Sequence, residues 1–240
     1  MTILCLDTAT DEGTVAVVRD DGTVSSVRWR SVGRHGEHLF GYIEQCMAEA
    51  GCSRDELSVI GVNIGPGKFT SLRVGLGTAK GLALGLNLPI VAVSSLRVLA
   101  RTIDCDASYV RVPVMTAYRG DVFAAAYLVG DLGVEELTTP LFGSPEHVFG
   151  RVREAIGDRP LALGGEGVGP HAAILEAVLG PRAGNLDRSL NASTPGALVA
   201  EVRHVMRTTG PAHLDSLEPC YLRASDAKLP MGARGTGQSG

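Results

Sequence analysis

A glycine-rich turn, Gly65 to Gly67 with Lys68 directly behind it, is the segment of this chain best equipped for chemistry. It follows an apolar run, Val59–Ile64, that predicts a buried strand, and it opens a predicted helix over Thr70–Leu88. Backbone N–H groups at the start of a helix can receive an anion. The spacing does not fit a P-loop, because five residues separate the strand's own glycine from the Gly-Lys pair and neither Ser nor Thr follows. We therefore expect a tight structural turn, with a phosphate cradle as the alternative.

Asp7 and Thr8 stand at the end of the first predicted strand, where a carboxylate can point into a cleft. Asp7 could hold a metal-bound water or the magnesium of a phosphate, or it could cap the adjacent turn, as Asp often does. The residues leave both interpretations open. No carboxylate stands at the matching point of the second half, because Thr116 and Ala117 end the equivalent strand there. The sequence therefore predicts no complete catalytic pair.

A second glycine-rich loop, Gly164–Gly169, follows a predicted strand and precedes a predicted helix. Its bare backbone could admit a purine or a phosphate at close range. A glycine-rich connector explains the loop equally well. Together the two loops and the first strand predict a possible degenerate nucleotide or anion site, which consists of Asp7, Thr8, Gly65, Gly67, Lys68, Gly165 and Gly167.

His35 and His38 share a face of a predicted helix, His35–Ala50, and could offer two zinc ligands. No third ligand suggests itself, and Glu37 is not placed as in His-Glu-x-x-His, so we expect a solvated helix start and no metal. The 5 cysteines are scattered without a Cys-x-x-Cys pair. This pattern indicates neither a disulfide framework nor a zinc knuckle, and it fits a reducing cytosol.

Charge and hydropathy exclude several classes of protein. The net charge of −4 argues against a stand-alone nucleic-acid binder, because neutralising phosphates needs clustered Lys and Arg. Met1–Asp7 lacks the basic region of a signal peptide. No stretch approaches the ~20 apolar residues of a membrane span. We expect a cytoplasmic protein.

The order of predicted elements divides the chain into two α/β lobes. Three strands, a helix, a strand and a helix come first, and the same order then begins again at Tyr109. We expect an N-terminal lobe over residues 1–105, a C-terminal lobe over 106–229 and a disordered tail over 230–240. The duplication is one of pattern only, because no residue-level repeat accompanies it.

The predicted helix Thr70–Leu88 contains four glycines, Gly75, Gly77, Gly81 and Gly85. Each costs up to about 1 kcal/mol relative to Ala in a helix interior. A helix that tolerates them needs a bare face on which something packs closely. That partner is either its own sheet or a helix of another chain.

Several of these segments resemble one family. Gly65–Leu76 resembles the signature Gly-Pro-Gly-Ser-Phe-Thr-Gly-Leu-Arg-(Ile/Val)-Gly-Leu of the TsaB family, formerly YeaZ, of bacterial tRNA threonylcarbamoyladenosine modification. Ile3–Thr10, His35, Gly165–Gly167 and Pro219–Arg223 are similar to further family segments, so the resemblance covers about residues 2–229. Three departures bear on any small-molecule site: Lys68 replaces the usual Ser, Ser71 replaces Gly, and Thr116-Ala117-Tyr118 replaces Asp-Ala-Arg.

The resemblance implies the two-lobed fold of actin, Hsp70 and sugar kinases, with a degenerate nucleotide site. It implies a non-catalytic subunit that binds and activates a TsaD-type transferase. That enzyme modifies the adenosine beside the anticodon in tRNAs reading codons that begin with A. A TsaE-type ATPase joins the complex, tRNA is reached only through it, and the free chain forms a homodimer. No resident cofactor is implied beyond weak nucleotide binding.

The resemblance places the contact with the transferase, or with a second copy, on the two helices of the first lobe. The residues expected there are His38, Leu39, Tyr42, Ile43, Cys46, Leu72, Val74, Gly77, Gly81 and Gly85.

Two other functions stay open. Asp7 and Gly164–Gly169 would suit a nucleotide-binding small-molecule kinase or ATPase of the same fold. The peptidase name attached historically to relatives needs His-Glu-x-x-His or Gly-x-Ser-x-Gly, and the chain contains neither.

Overall fold

A computed structural model describes residues 1–130, 133–181, 186–187 (backbone only) and 192–222. The predicted tail 230–240 and Arg223 lie outside the described residues. The first half is built on a five-stranded sheet of order β3-β2-β1-β4-β5, in which β1, β2 and β3 are antiparallel and β4 and β5 run parallel to β1. The strands are β1 Thr2–Asp7, β2 Glu12–Val18, β3 Val24–Arg30, β4 Leu57–Asn63 and β5 Ile90–Val93.

Both faces of this first sheet are covered by helices, as the continuous burial of β1 requires. Helices α1, His35–Glu49, and α2, Phe69–Leu86, cover the face that carries Leu4 and Leu6. The opposite face packs against helix α3, Ser95–Thr102, and helix α6, Pro195–Thr208.

The second half is built on a seven-stranded sheet of order β10-β7-β6-β11-β12, with β8 paired to β6 and β9. Helices α4, Pro145–Ile156, and α5, Ala172–Leu179, pack on one of its faces. Helix α3 packs on the other face. The strands are β6 Val110–Thr116, β7 Val122–Ala124, β8 Tyr127–Gly130, β9 Gly133–Glu136, β10 Leu141–Gly143, β11 Leu161–Gly164 and β12 Leu186–Asp187.

The second sheet contains interrupted and very short strands. Ala125 and Ala126 separate β7 from β8, because the Ala126 backbone bonds to Leu137 and Thr138 instead of β6. Strands β10 and β12 were not predicted, because three and two residues are too short for a pattern of alternation.

No helix among the described residues is long and apolar enough to cross a membrane.

Helices α3 and α6 lie between the two sheets and are joined by a buried ionic cluster. The Glu201 side chain is fully buried and accepts hydrogen bonds of 2.6 Å from Arg97 Nε and 2.6 Å from Arg101 Nε. Helix α6 was predicted within the C-terminal lobe, yet it packs on the first sheet. The lobe boundaries at 105 and 106 remain a prediction. Helix α6 follows them in the chain but packs on the sheet that precedes them.

Candidate functional site

Asp7 ends β1 with both carboxylate oxygens already in use. Oδ1 accepts a hydrogen bond of 2.9 Å from the Ala9 N–H, and Oδ2 accepts one of 2.6 Å from the Ser193 hydroxyl. Ser193 reaches this point because it directly precedes Thr194, whose side chain caps α6 by accepting from the Ala197 N–H. The sequence left two interpretations of Asp7 open, a metal or phosphate ligand and a turn cap. The contacts with Ala9 and Ser193 are those of a turn cap.

Thr8 fixes the end of β1 to helix α2. Its hydroxyl donates a hydrogen bond of 2.7 Å to the Ser71 carbonyl. A Cβ atom at Gly75 would lie 2.3 Å from Thr8 Oγ1, so only glycine allows this approach. Gly75 therefore packs on the chain's own sheet, which was one of the two partners expected for the bare helix face.

The Gly65–Gly67 turn packs tightly on the connection that follows β1. The Lys68 N–H donates to the Ala9 carbonyl at 2.8 Å, and a Cβ atom at Gly67 would lie 2.4 Å from that same oxygen. The Gly65 N–H donates to Asn63 Oδ1 at 2.9 Å. These two backbone donors are engaged by the chain itself, as expected for a tight structural turn.

The second glycine-rich loop packs in the same way on β6. The Gly167 N–H donates to the Val114 carbonyl at 3.0 Å. Gly165 has φ +119°, and a Cβ atom there would lie 2.2 Å from the same oxygen. The backbone at Gly165 and Gly167 thus packs against the neighbouring strand, as in a close-packed connector, whereas a Cβ atom at Gly169 would meet nothing within 4 Å.

Sequence reasoning missed a charged cluster that joins these two loops. Lys68 Nζ lies 2.5 Å from Asp11 Oδ2 in the first half, and Thr116 donates a hydrogen bond of 2.7 Å to Glu166 Oε1 in the second. Burial raises the pKa of Glu166, and the negative charge of Asp11 adds to this rise; the Thr116 hydrogen bond and the positive charge of Lys68 oppose it.

The second half therefore supplies a carboxylate after all, from Glu166 rather than from the end of β6. The signal that could have found it is the position of Glu166 between two glycines after β11, which runs parallel to β6. The carboxyl ends of neighbouring parallel strands meet at one edge of a sheet, so Glu166 comes close to Thr116.

His35 corrects the expectation of a solvated helix start. Its side chain is 1% exposed, Nε2 lies 2.8 Å from the Thr10 carbonyl, and the ring packs edge-on against Trp29 with centroids 5.5 Å apart. His38 is exposed. Within the part of the chain that the structure describes, no group of three or more His, Cys, Asp or Glu residues could hold a metal ion.

The ten residues expected at the partner interface fall into two groups. Leu39, Ile43, Cys46 and Leu72 are between 0% and 4% exposed and pack in the chain's own core, so they offer no surface to a partner. The other six lie at or near the surface, and they are His38, Tyr42, Val74, Gly77, Gly81 and Gly85.

The accessible part of this face includes two large apolar side chains that the sequence did not single out. Leu84 on α2 is 73% exposed and Phe40 on α1 is 57% exposed. A Cβ atom at Gly77, Gly81 or Gly85 would meet nothing within 4 Å. We call the outward face of α2 formed by Gly77, Gly81, Leu84 and Gly85 the α2 ridge.

Two helix-flanked sheets with shared central helices define the class: the chain has the two-lobed α/β fold of actin, Hsp70 and sugar kinases. Two solved structures from Pseudomonas aeruginosa carry the same fold at 24% identity, covering 92% of this chain and 99% of theirs. One is YeaZ, with a TM-score of 0.79, and the other is an uncharacterised protein similar to peptidase YeaZ, with a TM-score of 0.82.

The chain belongs to the TsaB (YeaZ) family. The tRNA threonylcarbamoyladenosine biosynthesis protein TsaB of Escherichia coli is 32% identical over 162 residues, which cover 66% of this chain and 69% of that protein. TsaB of Bacillus subtilis is 27% identical over 95% of this chain and 96% of its own. The family model of TsaD, tRNA N6-adenosine threonylcarbamoyltransferase, matches residues 30–156.

Proposed function

We propose that this chain is a non-catalytic subunit in tRNA threonylcarbamoyladenosine biosynthesis, where it binds and activates a TsaD-type threonylcarbamoyltransferase. The names of its TsaB relatives support the pathway. The match of the transferase family model to residues 30–156 supports a common origin with the enzyme, so that the two proteins would offer each other similar helices. A TsaE-type ATPase and tRNA, reached only through the complex, complete the proposed assembly.

The contacts of the two loops support a subunit that leaves the chemistry to its partner. Asp7 accepts hydrogen bonds from Ala9 and Ser193, and Gly67, Gly165 and Gly167 are packed against backbone carbonyls. A catalytic or nucleotide-binding group needs free hydrogen-bonding capacity toward a substrate. Here these groups make contacts that hold the fold together.

The α2 ridge is the observation that carries the proposed partner contact. Three glycines with open space above them allow another helix to approach closely, since the distance between packed helices depends on the side chains at the contact. Leu84 supplies exposed apolar area beside the glycines, and Phe40 supplies more on α1. Stable interfaces bury about 1,600 Å² in total, so we expect neighbouring surface on α1 to take part. A homodimer of the free chain would use the same face.

The test is size-exclusion chromatography with light scattering, using the chain mixed with the TsaD-type transferase of the same organism. The unmodified chain should co-elute with the transferase at the summed mass. Gly81→Leu places a bulky side chain on the ridge and should elute separately while remaining folded by circular dichroism. Gly150→Leu is the matched control, because Gly150 lies in α4 and also faces open space.

Normal binding by Gly81→Leu would remove the ridge from the interface. Failure of the unmodified chain to bind, with nucleotide and the ATPase present, would overturn the proposed function itself. Transferase activity on tRNA, measured with the unmodified chain and with Gly81→Leu, then tests whether binding and activation go together.

A further inference from the structure

The N-terminal end of α2 carries a cluster of two aromatic rings and one arginine. The Arg73 guanidinium lies over the Phe69 ring, 3.9 Å from its centroid, and Arg73 Nε donates a hydrogen bond of 3.0 Å to the Tyr221 hydroxyl. The Phe69 and Tyr221 ring centroids are 5.3 Å apart. The rings are nevertheless 52% and 43% exposed. We call Phe69, Arg73 and Tyr221 the aromatic cluster.

The aromatic cluster borders the N-terminal end of the α2 ridge. Arg73 lies one turn before Gly77 on α2, and Leu84 falls on the same side of the helix as both. Each step of four residues also turns about 40° around the axis, so the row of glycines winds away from the cluster toward Gly85.

The α2 ridge alone is short of the apolar area that a stable contact needs. Its three glycines contribute no side chains, and a standard interface buries about 800 Å² on each partner. Tyr and Arg are enriched among the residues that carry most of the binding free energy, and they act from well-packed positions. The aromatic cluster supplies such residues next to the ridge, in a protein with few aromatic residues of any kind, 5% of the sequence.

The cluster is also held rigidly before any partner arrives. The C-terminal segment that brings Tyr221 pairs at Ala212 with Ile90, and the Cys220 N–H donates to the Ile64 carbonyl at 2.7 Å. On the other side of Tyr221, Leu222 packs against the core of the second half. Fixing side chains in advance lowers the entropy lost on binding.

We propose that the aromatic cluster anchors the transferase, so that the C-terminal segment supplies part of the partner-binding surface through Tyr221. This inference rests on the proposed function and extends it to a residue 148 positions away from Arg73 along the chain. It concerns a protein partner, and contact with an unpaired base of tRNA is the competing outcome of the test.

The experiment measures the dissociation constant for the TsaD-type transferase by calorimetry. Tyr221→Ala should weaken binding about tenfold or more. Tyr221→Phe keeps the ring and should stay within about threefold of the unmodified chain, because the exposed hydrogen bond contributes less than the ring. Arg73→Lys keeps the charge but loses the planar stacking, and it should weaken binding by several-fold. Tyr118→Ala, on the second half and 67% exposed, is the control and should bind normally.

Tyr221→Ala binding like the unmodified chain, while Gly81→Leu does not bind, would overturn the anchor and leave the proposed function standing. Equal losses in Tyr221→Ala and Tyr118→Ala would overturn it as well. Unchanged affinity for the transferase with weaker tRNA binding by the assembled complex would assign the cluster to RNA instead, which also overturns the proposal. If the unmodified chain does not bind the transferase, it is the proposed function that fails.

Discussion

Alanine at the glycines of α2 should have opposite effects on stability at neighbouring positions. Gly77, Gly81 and Gly85 face open space. Gly75 faces Thr8, and a Cβ atom added at Gly75 would lie 2.3 Å from Thr8 Oγ1. Replacing all three open glycines raises helix propensity without steric cost. Replacing Gly75 gains the same propensity but forces the buried end of β1 to move.

The expected magnitudes follow from these distances. Each open glycine replaced by Ala stabilises the helix by about 0.8–1 kcal/mol, so the triple variant should gain about 2–3 kcal/mol. At roughly 2–4 °C per kcal/mol for a chain of this size, its melting temperature should rise by roughly 5–10 °C. Gly75→Ala costs about 1–3 kcal/mol for overpacking and a similar amount for the disturbed hydrogen bond from Thr8, and it gains about 1 kcal/mol of helix propensity, so a net loss of about 3 kcal/mol is expected.

Urea denaturation followed by circular dichroism measures these differences, with light scattering at the same protein concentration to establish the oligomeric state. The reasoning is refuted if the triple variant gains no stability while the chain is monomeric, or if Gly75→Ala is as stable as the triple variant. A gain that disappears only at concentrations where the unmodified chain dimerises would instead place the second copy on the α2 ridge.

Two further predictions concern buried charge. Glu201→Gln should lower the free energy of unfolding by about 3–5 kcal/mol, because it leaves two largely buried arginines without their anion. The measurement is the urea midpoint, compared with that of a Glu→Gln change at an exposed position. A shift smaller than that of the exposed change would contradict the prediction. Burial raises the pKa of Glu166 above its ordinary value of 4.5, so the ionised form is disfavoured in the folded state. The contribution of the raised Glu166 pKa to the free energy of unfolding is complete below pH 4.5 and is lost as the pH rises through the raised pKa. The melting temperature of Glu166→Gln relative to the unmodified chain should therefore increase as the pH rises above 4.5, and a difference that does not change with pH would count against it.

Local patterns predicted the elements of the first half well. The apolar run before Gly65, the glycine turn and the spacing in α1 and α2 each depend on residues close in sequence, and the structure confirms them within a few positions. Apolar residues of α1 were predicted at a partner interface, but periodicity does not say against what an apolar face packs. The sequence could not distinguish the chain's own sheet from a partner, and the structure buries Leu39, Ile43, Cys46 and Leu72 in the chain's own core.

The charged and aromatic clusters could not be predicted because their members meet only in three dimensions. The charges of Lys68 and Asp11, in the first half, act on Glu166 in the second. Tyr221 reaches Arg73 because the C-terminal segment returns along β5 and α2. The position of Glu166 between two glycines is a local signal, but no pattern in the sequence marks Tyr221 as a neighbour of Arg73.

The position of α6 has a consequence for how the chain is made. Ribosomes release the chain from the N-terminus, and the five strands of the first sheet emerge long before residues 195–208. Until α6 arrives, the face of the sheet carrying Ile3 and Cys5 lacks most of its cover. A nascent chain that ends near residue 105 therefore exposes apolar surface on this face, and the first sheet acquires its full cover only after α6 has been synthesised.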